Sequence, residues 1–183
     1  FVNLDKDGSV GLSHLESLLN ENKDQKTLVS LMHINNEIGN ILDIKAVSEL
    51  CQNFNAYFHS DTVQSVGHYN MDLSQIPLDF IAVSGHKFHG PKGVGFLYVK
   101  NRNKLKPMIH GGLQERELRA GTESVHNIVG LEKAMELAYD NLNEDSNYIK
   151  SLKSHFISSL KKEIPGVRFN GLSEDLDRST KSE

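Results

Sequence analysis

Three short apolar runs, each leading into a cluster of polar residues, constrain the fold of this chain more than any other feature. The runs are TLVSLMHI (27–34), AYFH (56–59) and FIAVS (80–84), and the clusters at their ends are NNEIG (35–39), HSDTVQ (59–64) and SGHK (84–87). Each run has the length of a buried β-strand. Because ligands bind at the carboxyl ends of the strands in an open α/β sheet, we expect the three clusters to converge on one crevice.

A helix is predicted between the first two strands. Asp43 can cap it, and apolar residues then recur at helical spacing: Ile44, Val47, Leu50, Cys51 and Phe54. The order strand, helix, strand is typical of parallel strands. A fourth apolar run, GVGFLYV (93–99), has the length of another strand. The sequence therefore predicts an α/β fold with a mainly parallel sheet.

Helical patterns also flank the predicted sheet. Ser13 and Glu16 have the spacing of a capping box at the start of an early helix, and a strong amphipathic pattern lies near residues 126–140. A later helix is predicted to end at PGVRFNG (165–171), where proline and glycine stop it before a possible strand.

A polar stretch, DNLNEDSN (140–147), indicates a junction between two domains. We expect residues 1–140 to form part of one domain and residues 141–183 to begin a smaller C-terminal one. The chain starts with Phe1 rather than Met, and no structural element is completed at its end. We therefore expect it to be a piece of a longer protein.

Composition narrows the classes of partner. The formal net charge of -4 comes from interspersed charges of both signs, which argues against nucleic acid and membrane surfaces as partners. A single cysteine excludes an internal disulfide framework and Cys/His zinc clusters, and it suits a reducing compartment such as the cytoplasm. No apolar run approaches the length of a membrane span. These features favour a small-molecule substrate.

Two motifs imitate well-known binding loops. NLDKDGSVGLSH (3–14) resembles a calcium loop, but His14 stands where the bidentate Glu is needed, so a DKDG turn is the preferred interpretation. Gly85 and Gly90 have the separation found in a phosphate-binding P-loop, but Pro91 stands where the Walker lysine belongs. Neither motif predicts metal or nucleotide binding.

The SGHK cluster offers a different chemistry. A lysine beside small residues and a histidine, facing an aspartate from an adjacent strand, meets the needs of pyridoxal phosphate: an amine for a Schiff base and an acid for the ring nitrogen. Lys87 and Asp61 would supply these groups, with Ser84 and His86 as phosphate donors. Taken singly, such an aspartate is more often a turn cap, and such a histidine is more often a packing or surface residue.

Four motifs, HINNEIG, HSDTVQSVG, SGHKFHGPKGVG and HGGLQERELRAGTES, together closely resemble the cysteine desulfurases of the NifS/IscS type. These belong to the class V aminotransferases, within the fold-type I pyridoxal-phosphate enzymes. The resemblance runs from about Asp5 to the helix at 126–140. It implies the large domain of the aspartate aminotransferase-like fold, followed by the start of the smaller C-terminal domain.

The resemblance also implies roles for individual residues. Lys87 would bind the cofactor covalently and act as the catalytic base, and Asp61 would pair with the ring nitrogen. The remaining cofactor-binding residues implied are Asn36 and Gln64 at the ring or its phenolic oxygen, Ser84 and His86 at the phosphate, and Thr122 at the phosphate of a partner subunit. Thr122 would make the enzyme a homodimer, although a helix N-cap is the alternative for this residue.

The activity implied is removal of sulfur from L-cysteine, giving L-alanine and an enzyme persulfide for iron–sulfur cluster or thio-cofactor assembly through an acceptor or scaffold protein. Cys51 lies on the apolar stripe of a helix, where a thiol is normally inert. The family places its nucleophilic cysteine further downstream, so we expect these 183 residues alone to be inactive.

Three residues depart from the family pattern, namely Leu113, Glu117 and Ser124, and they put the detailed loop geometry in question. The alternatives left open are another class V enzyme, such as a selenocysteine lyase or an aminotransferase, and a non-catalytic scaffold of the same fold.

Overall fold

A computed structural model of the chain describes residues 1–101 and 105–176. Its helices and strands, in chain order, are α1 (Leu12–Glu21), β1 (Leu28–Met32), α2 (Ile44–Asn53), β2 (Tyr57–Asp61), β3 (Phe80–Ser84), β4 (Gly95–Val99), α3 (Val125–Asp140) and α4 (Leu142–Glu163). Short 3-10 turns occupy Gly85–Phe88 and Gln114–Glu117. None of the helices in the described parts of the chain is both long and apolar enough to cross a membrane.

The four strands form one sheet in the order β1-β2-β3-β4. Strands β1, β2 and β3 are parallel, and β4 returns antiparallel to β3. This confirms the predicted α/β class with a mainly parallel sheet. Asp61 pairs with Met32 on one side and with Ala82 on the other. The carboxyl ends of the three parallel strands therefore meet at the same edge.

One face of the sheet carries the core. Phe58 of β2 is fully buried because alternate residues of the strand point toward the helices, and Val47 of α2 is fully buried on the helix side of the same core. Each such side chain contributes about 1.5–3 kcal/mol relative to an exposed position. Helix α2 begins as predicted, since the Oδ1 atom of Asp43 accepts a hydrogen bond from the Ala46 N–H at 3.0 Å.

The opposite face of the sheet carries a row of polar and aromatic side chains. The rings of Tyr57 and Phe80 contact each other with centroids 6.4 Å apart, and Ser30 Oγ lies 2.8 Å from His59 Nδ1. Asp61 shares this face, because it alternates with the buried residues of β2. The site residues therefore lie where this polar face meets the carboxyl edge.

The N-terminal segment is a small hairpin. Leu4 and Val10 form an antiparallel bridge around the expected DKDG turn, and the N–H of Asn3 donates to His14 Nδ1 at 2.9 Å. The predicted capping box is wrong: α1 has Gly11 as its N-cap, with no side-chain cap. Ser13 cannot cap because it already lies inside the first turn.

The C-terminal half differs from the prediction in two places. Helix α4 begins at Leu142, so only Asn141 interrupts the helical structure within the polar stretch expected to be a junction. Residues 167–169 form no strand in the part of the chain that the structure describes. Strong helix formers such as Glu144 in the first turn explain the earlier start of α4. Residues 177–183 of the predicted second domain lie outside the described residues.

Candidate active site

The structure places the three predicted clusters at one edge of the sheet. The N–H of His33, just after β1, donates to the carbonyl of Asp61 at 2.9 Å, and the N–H of Thr62 donates to the carbonyl of Ala82 at 3.0 Å. These bonds extend the pairing of β1, β2 and β3 past the strand ends. The loops that leave the strands therefore begin from fixed, neighbouring positions.

Lys87 lies in a tightly held turn. Residues Gly85–Phe88 form one turn of 3-10 helix, and His89 ends it in a left-handed conformation with φ of 68°. Phe88 is buried, whereas Lys87 is exposed. A Cβ atom placed on Gly85 would lie 2.6 Å from the Leu131 side chain of α3. The backbone of the turn therefore packs directly against this side chain. Packing against α3 holds the turn in place, while Lys87 is exposed.

Ser84 and His86 form a polar pair beside the lysine. The Oγ atom of Ser84 lies 2.9 Å from Nδ1 of His86 in a hydrogen bond. Ser84 is the last residue of β3, and His86 is an exposed member of the turn that follows. Whichever of the two groups donates this bond, one N–H or O–H of the pair remains to donate to an anion.

Asp61 ends β2 as a half-buried residue. Its Oδ1 atom accepts a hydrogen bond from the Val63 N–H at 2.9 Å, so it does cap the turn that follows. A carboxylate has about four acceptor positions on two oxygens. The turn cap therefore leaves the carboxylate able to bind a further donor.

Gln64 follows in the same turn. Thr62, two residues earlier, is fully buried, and its Oγ1 atom donates to the carbonyl of Ala82 at 3.0 Å. The Oγ atom of Ser65, which is also buried, donates to the carbonyl of Thr62 at 3.1 Å. Gln64 is only half-buried between these two anchored residues.

Asn36 lies at the exposed tip of the loop after β1. The loop is shaped by its neighbour Asn35, whose Oδ1 atom accepts hydrogen bonds from the N–H groups of Glu37 at 2.9 Å and Ile38 at 3.1 Å. The Asn36 side chain donates to the Glu37 carboxylate at 2.8 Å. Asn36 is therefore a surface group held by its own loop.

Thr122 is exposed and precedes α3. The N-cap of α3 is Ser124, so the alternative in which Thr122 caps this helix is wrong. Upstream, Glu117 has a φ of 71°, in the left-handed region that favours glycine. A residue with a side chain is therefore strained at this position.

Cys51 is buried, with 1% of its surface exposed, as the helical stripe predicted. Burial, and secondarily the charge of Asp79, raises the pKa of its thiol to about 12. Since the thiolate is the reactive form, this cysteine is unsuited to nucleophilic chemistry.

Sequence reasoning missed one residue that contacts the site and one that holds the loop carrying Asn36. The Nε2 atom of His68 donates to the carbonyl of Lys87 at 2.9 Å. Asn40, which is 7% exposed, donates through Nδ2 to the carbonyl of Asp7 at 2.8 Å. Neither residue stands in a local pattern that predicts its partner, because the partners are 19 and 33 positions away.

Comparisons with known proteins agree with this fold. The chain matches the aminotransferase class-V family over residues 1–182. It is 44% identical to the cysteine desulfurase IscS of Clostridium botulinum over 93% of the chain, which corresponds to 42% of that relative. Among solved structures, a NifS-like protein superposes with a TM-score of 0.83 at 40% identity, covering 88% of this chain and 44% of that one.

A second solved structure, DndA from Streptomyces lividans, superposes with a TM-score of 0.85 at 32% identity, covering 98% of this chain and 50% of that one. The chain thus spans about half the length, or less, of the proteins it matches. The chain belongs to the class V aminotransferase family.

Proposed function

We propose that the whole protein is a pyridoxal-phosphate-dependent cysteine desulfurase that converts L-cysteine to L-alanine and leaves the sulfur as a protein persulfide. The observation that carries the proposal is the exposed Lys87 in an anchored turn, at the same sheet edge as Asp61. The similarity to the Clostridium botulinum cysteine desulfurase IscS supports the choice of reaction.

The residues at this edge fit pyridoxal phosphate. The cofactor needs an amine for its aldehyde, donors for its phosphate and an acid for its ring nitrogen. Lys87 would supply the amine, and the hydrogen-bonded pair of Ser84 and His86 would supply the phosphate donors. Asp61 has acceptor capacity beyond its turn cap for the ring nitrogen. Gln64 and Asn36 carry amides suited to the ring and its phenolic oxygen.

When bound, the cofactor supplies an electron sink for negative charge at the substrate Cα. Lys87 takes the proton from Cα as general base. The Asp61 carboxylate holds a proton on the ring nitrogen, because a charge-assisted hydrogen bond favours the protonated form. The anchored turn fixes the backbone from which the Lys87 side chain extends, which would lower the entropic part of the barrier.

The remaining assignments are also part of the proposal. The nucleophile that receives the sulfur lies outside these residues, because burial of Cys51 keeps its thiol protonated. Thr122 contacts the cofactor phosphate of a second subunit, so the enzyme works as a homodimer. Residues 1–140 belong to the cofactor-binding domain and residues 141–183 begin the smaller one. The protein is cytoplasmic and passes sulfur to an acceptor or iron–sulfur scaffold protein.

The test uses the whole protein, purified with pyridoxal phosphate and supplied with L-cysteine. With a thiol reductant present to release the persulfide sulfur as sulfide, we expect alanine and sulfide in equal amounts, and no product from Lys87→Ala. Lys92→Ala, which changes an exposed lysine of the following turn, is the matched control and should retain activity. Turnover of selenocysteine alone, or transfer of the amino group to a keto acid, would assign the protein to another class V activity. Absence of cofactor binding would identify a scaffold.

A further inference from the structure

We propose that His68 is a positioning residue for Lys87, holding the lysine's peptide group in place through a hydrogen bond from Nε2 to the Lys87 carbonyl. The inference rests on the proposed function, since it concerns the lysine that would bear the cofactor. His68 contributes to the site through the backbone of Lys87.

The carbonyl of Lys87 lies near the end of a helical turn. The last carbonyls of such a turn have no partner within it and need a donor from elsewhere. The Nε2 atom of His68 is 2.9 Å from this oxygen, which is an ordinary hydrogen-bond distance. The ring therefore supplies a donor at the position where the turn lacks one.

The segment that carries His68 is held by its own backbone hydrogen bonds. It leaves β2 through consecutive turns, with the N–H of Val66 donating to the carbonyl of Thr62 and the N–H of His68 donating to that of Ser65, both at 3.0 Å. These turns begin immediately after Asp61. His68 thus links the cluster at the end of β2 to the cluster at the end of β3.

A second contact between the same segments supports this link. Gly67 has a φ of +83°, and a Cβ atom placed on it would lie 2.6 Å from Cβ of Phe88. The backbone at residue 67 therefore packs directly on the residue that follows Lys87. The hydrogen bond and this close packing hold Lys87 and Phe88 against the turn that starts at Asp61.

The bond requires a proton on Nε2 of His68, because a carbonyl oxygen only accepts. Glutamine can supply an N–H from its own Nε2 atom, whereas leucine fills a similar volume without any donor. Without the donor, the Lys87 peptide group can turn away, and the backbone that carries the amine is no longer held to the turn that starts after Asp61. Small misplacements of a reacting group are costly in rate.

The experiment compares His68→Leu and His68→Gln in the whole protein loaded with pyridoxal phosphate. We expect His68→Leu to shift the pH midpoint of the bound cofactor's visible absorbance and to lower kcat about tenfold with little change in KM. His68→Gln should restore both readouts to near the wild-type values. His155→Leu, an exposed histidine of α4, is the control and should match wild type.

Two outcomes would overturn the inference: a folded His68→Leu protein with wild-type absorbance and kcat, or a His68→Gln protein as impaired as His68→Leu. If His68→Leu fails to fold, the test is nitrogen-15 NMR of the histidine rings of the wild-type protein at pH 8. The inference requires a proton on Nε2 of His68 at that pH, and an unprotonated Nε2 would overturn it. A wild-type protein that binds the cofactor but leaves L-cysteine unchanged would count against the desulfurase assignment only.

Discussion

The side chain of Asn40 joins Leu172 to the hairpin at the other end of the chain. Its Oδ1 atom accepts a hydrogen bond from the Leu172 N–H at 2.8 Å, and its Nδ2 atom donates to the carbonyl of Asp7 at 2.8 Å. Close by, Ser173 Oγ lies 2.7 Å from the carbonyl oxygen of Asn170 and 3.2 Å from that of Ile38. Three distant segments therefore meet at the loop that also carries Asn36.

Asn40→Ala should destabilise the protein by about 2–3 kcal/mol, because two partners in a mostly buried place lose their hydrogen bonds. Urea unfolding of the whole protein measures the change. The exposed Asn20→Ala on α1 is the control and should change stability by less than about 0.5 kcal/mol. Equal urea midpoints for the two variants would show that the hydrogen bonds of Asn40 do not contribute to the free energy of unfolding.

His33 should make the protein less stable in mild acid. Burial lowers the pKa of this histidine from 6.5 to about 4. Between pH 6.5 and pH 4 the unfolded chain binds a proton at His33 and the folded chain does not. The contribution of His33 to the free energy of unfolding is therefore complete above pH 6.5 and decreases as the pH drops toward 4. The loss attributable to His33 is roughly 3 kcal/mol.

The measurement for His33 is the free energy of unfolding at several pH values between 4.5 and 8, for wild type and for the non-titrating His33→Gln. Other groups also titrate in this range, so the difference between the two curves is the relevant quantity. The wild-type curve should fall more steeply than the variant's as the pH drops from 6.5. Parallel curves would mean that His33 is protonated as readily in the folded protein as in the unfolded chain.

Cys51 should resist thiol reagents in the folded protein and react with them in denaturant, because burial raises its pKa to about 12. Cys51→Ser should cost about 1–2 kcal/mol of stability, since its hydroxyl is buried without a partner. Its desulfurase activity should be unchanged. Cys51→Ala provides the comparison without a buried hydroxyl. Loss of persulfide labelling in a folded Cys51→Ser protein would make Cys51 the nucleophile after all.

Asp61→Asn should leave the fold intact and reduce turnover about a hundredfold or more, because the amide keeps an oxygen for the Val63 N–H but carries no charge for the ring nitrogen. Asp72→Asn is a matched control, since Asp72 accepts a comparable turn bond from the Ser74 N–H at 2.8 Å. Turnover of Asp61→Asn within a few fold of wild type would remove the proposed role of its charge.

Borohydride reduction of the cofactor-loaded protein should place the pyridoxyl group on Lys87. Lys92 is also exposed, but it lies in the GPKG turn beyond the anchored 3-10 segment. Peptide mapping by mass spectrometry distinguishes the two lysines. A label on Lys92, or one that persists at full yield in Lys87→Ala, would contradict the assignment.

Local patterns were sufficient for much of the fold, whereas the roles of the site residues stay predictions. The apolar runs located the four strands, and the Asp43 cap and apolar spacing located α2, because hydrophobic periodicity and capping act within a few residues. The same reasoning failed for Ser13, since a capping-box signal competes with packing and helix propensity.

Only the tertiary structure decided how the site is held. The bond from His68 to Lys87 spans 19 residues and that from Asn40 to Leu172 spans 132, so no local pattern could predict either pair. Such contacts depend on strand register and on the paths of loops, which are set when the whole core packs. The residue types determined which chemistry is available, and the packing determined which of those residues hold one another in place.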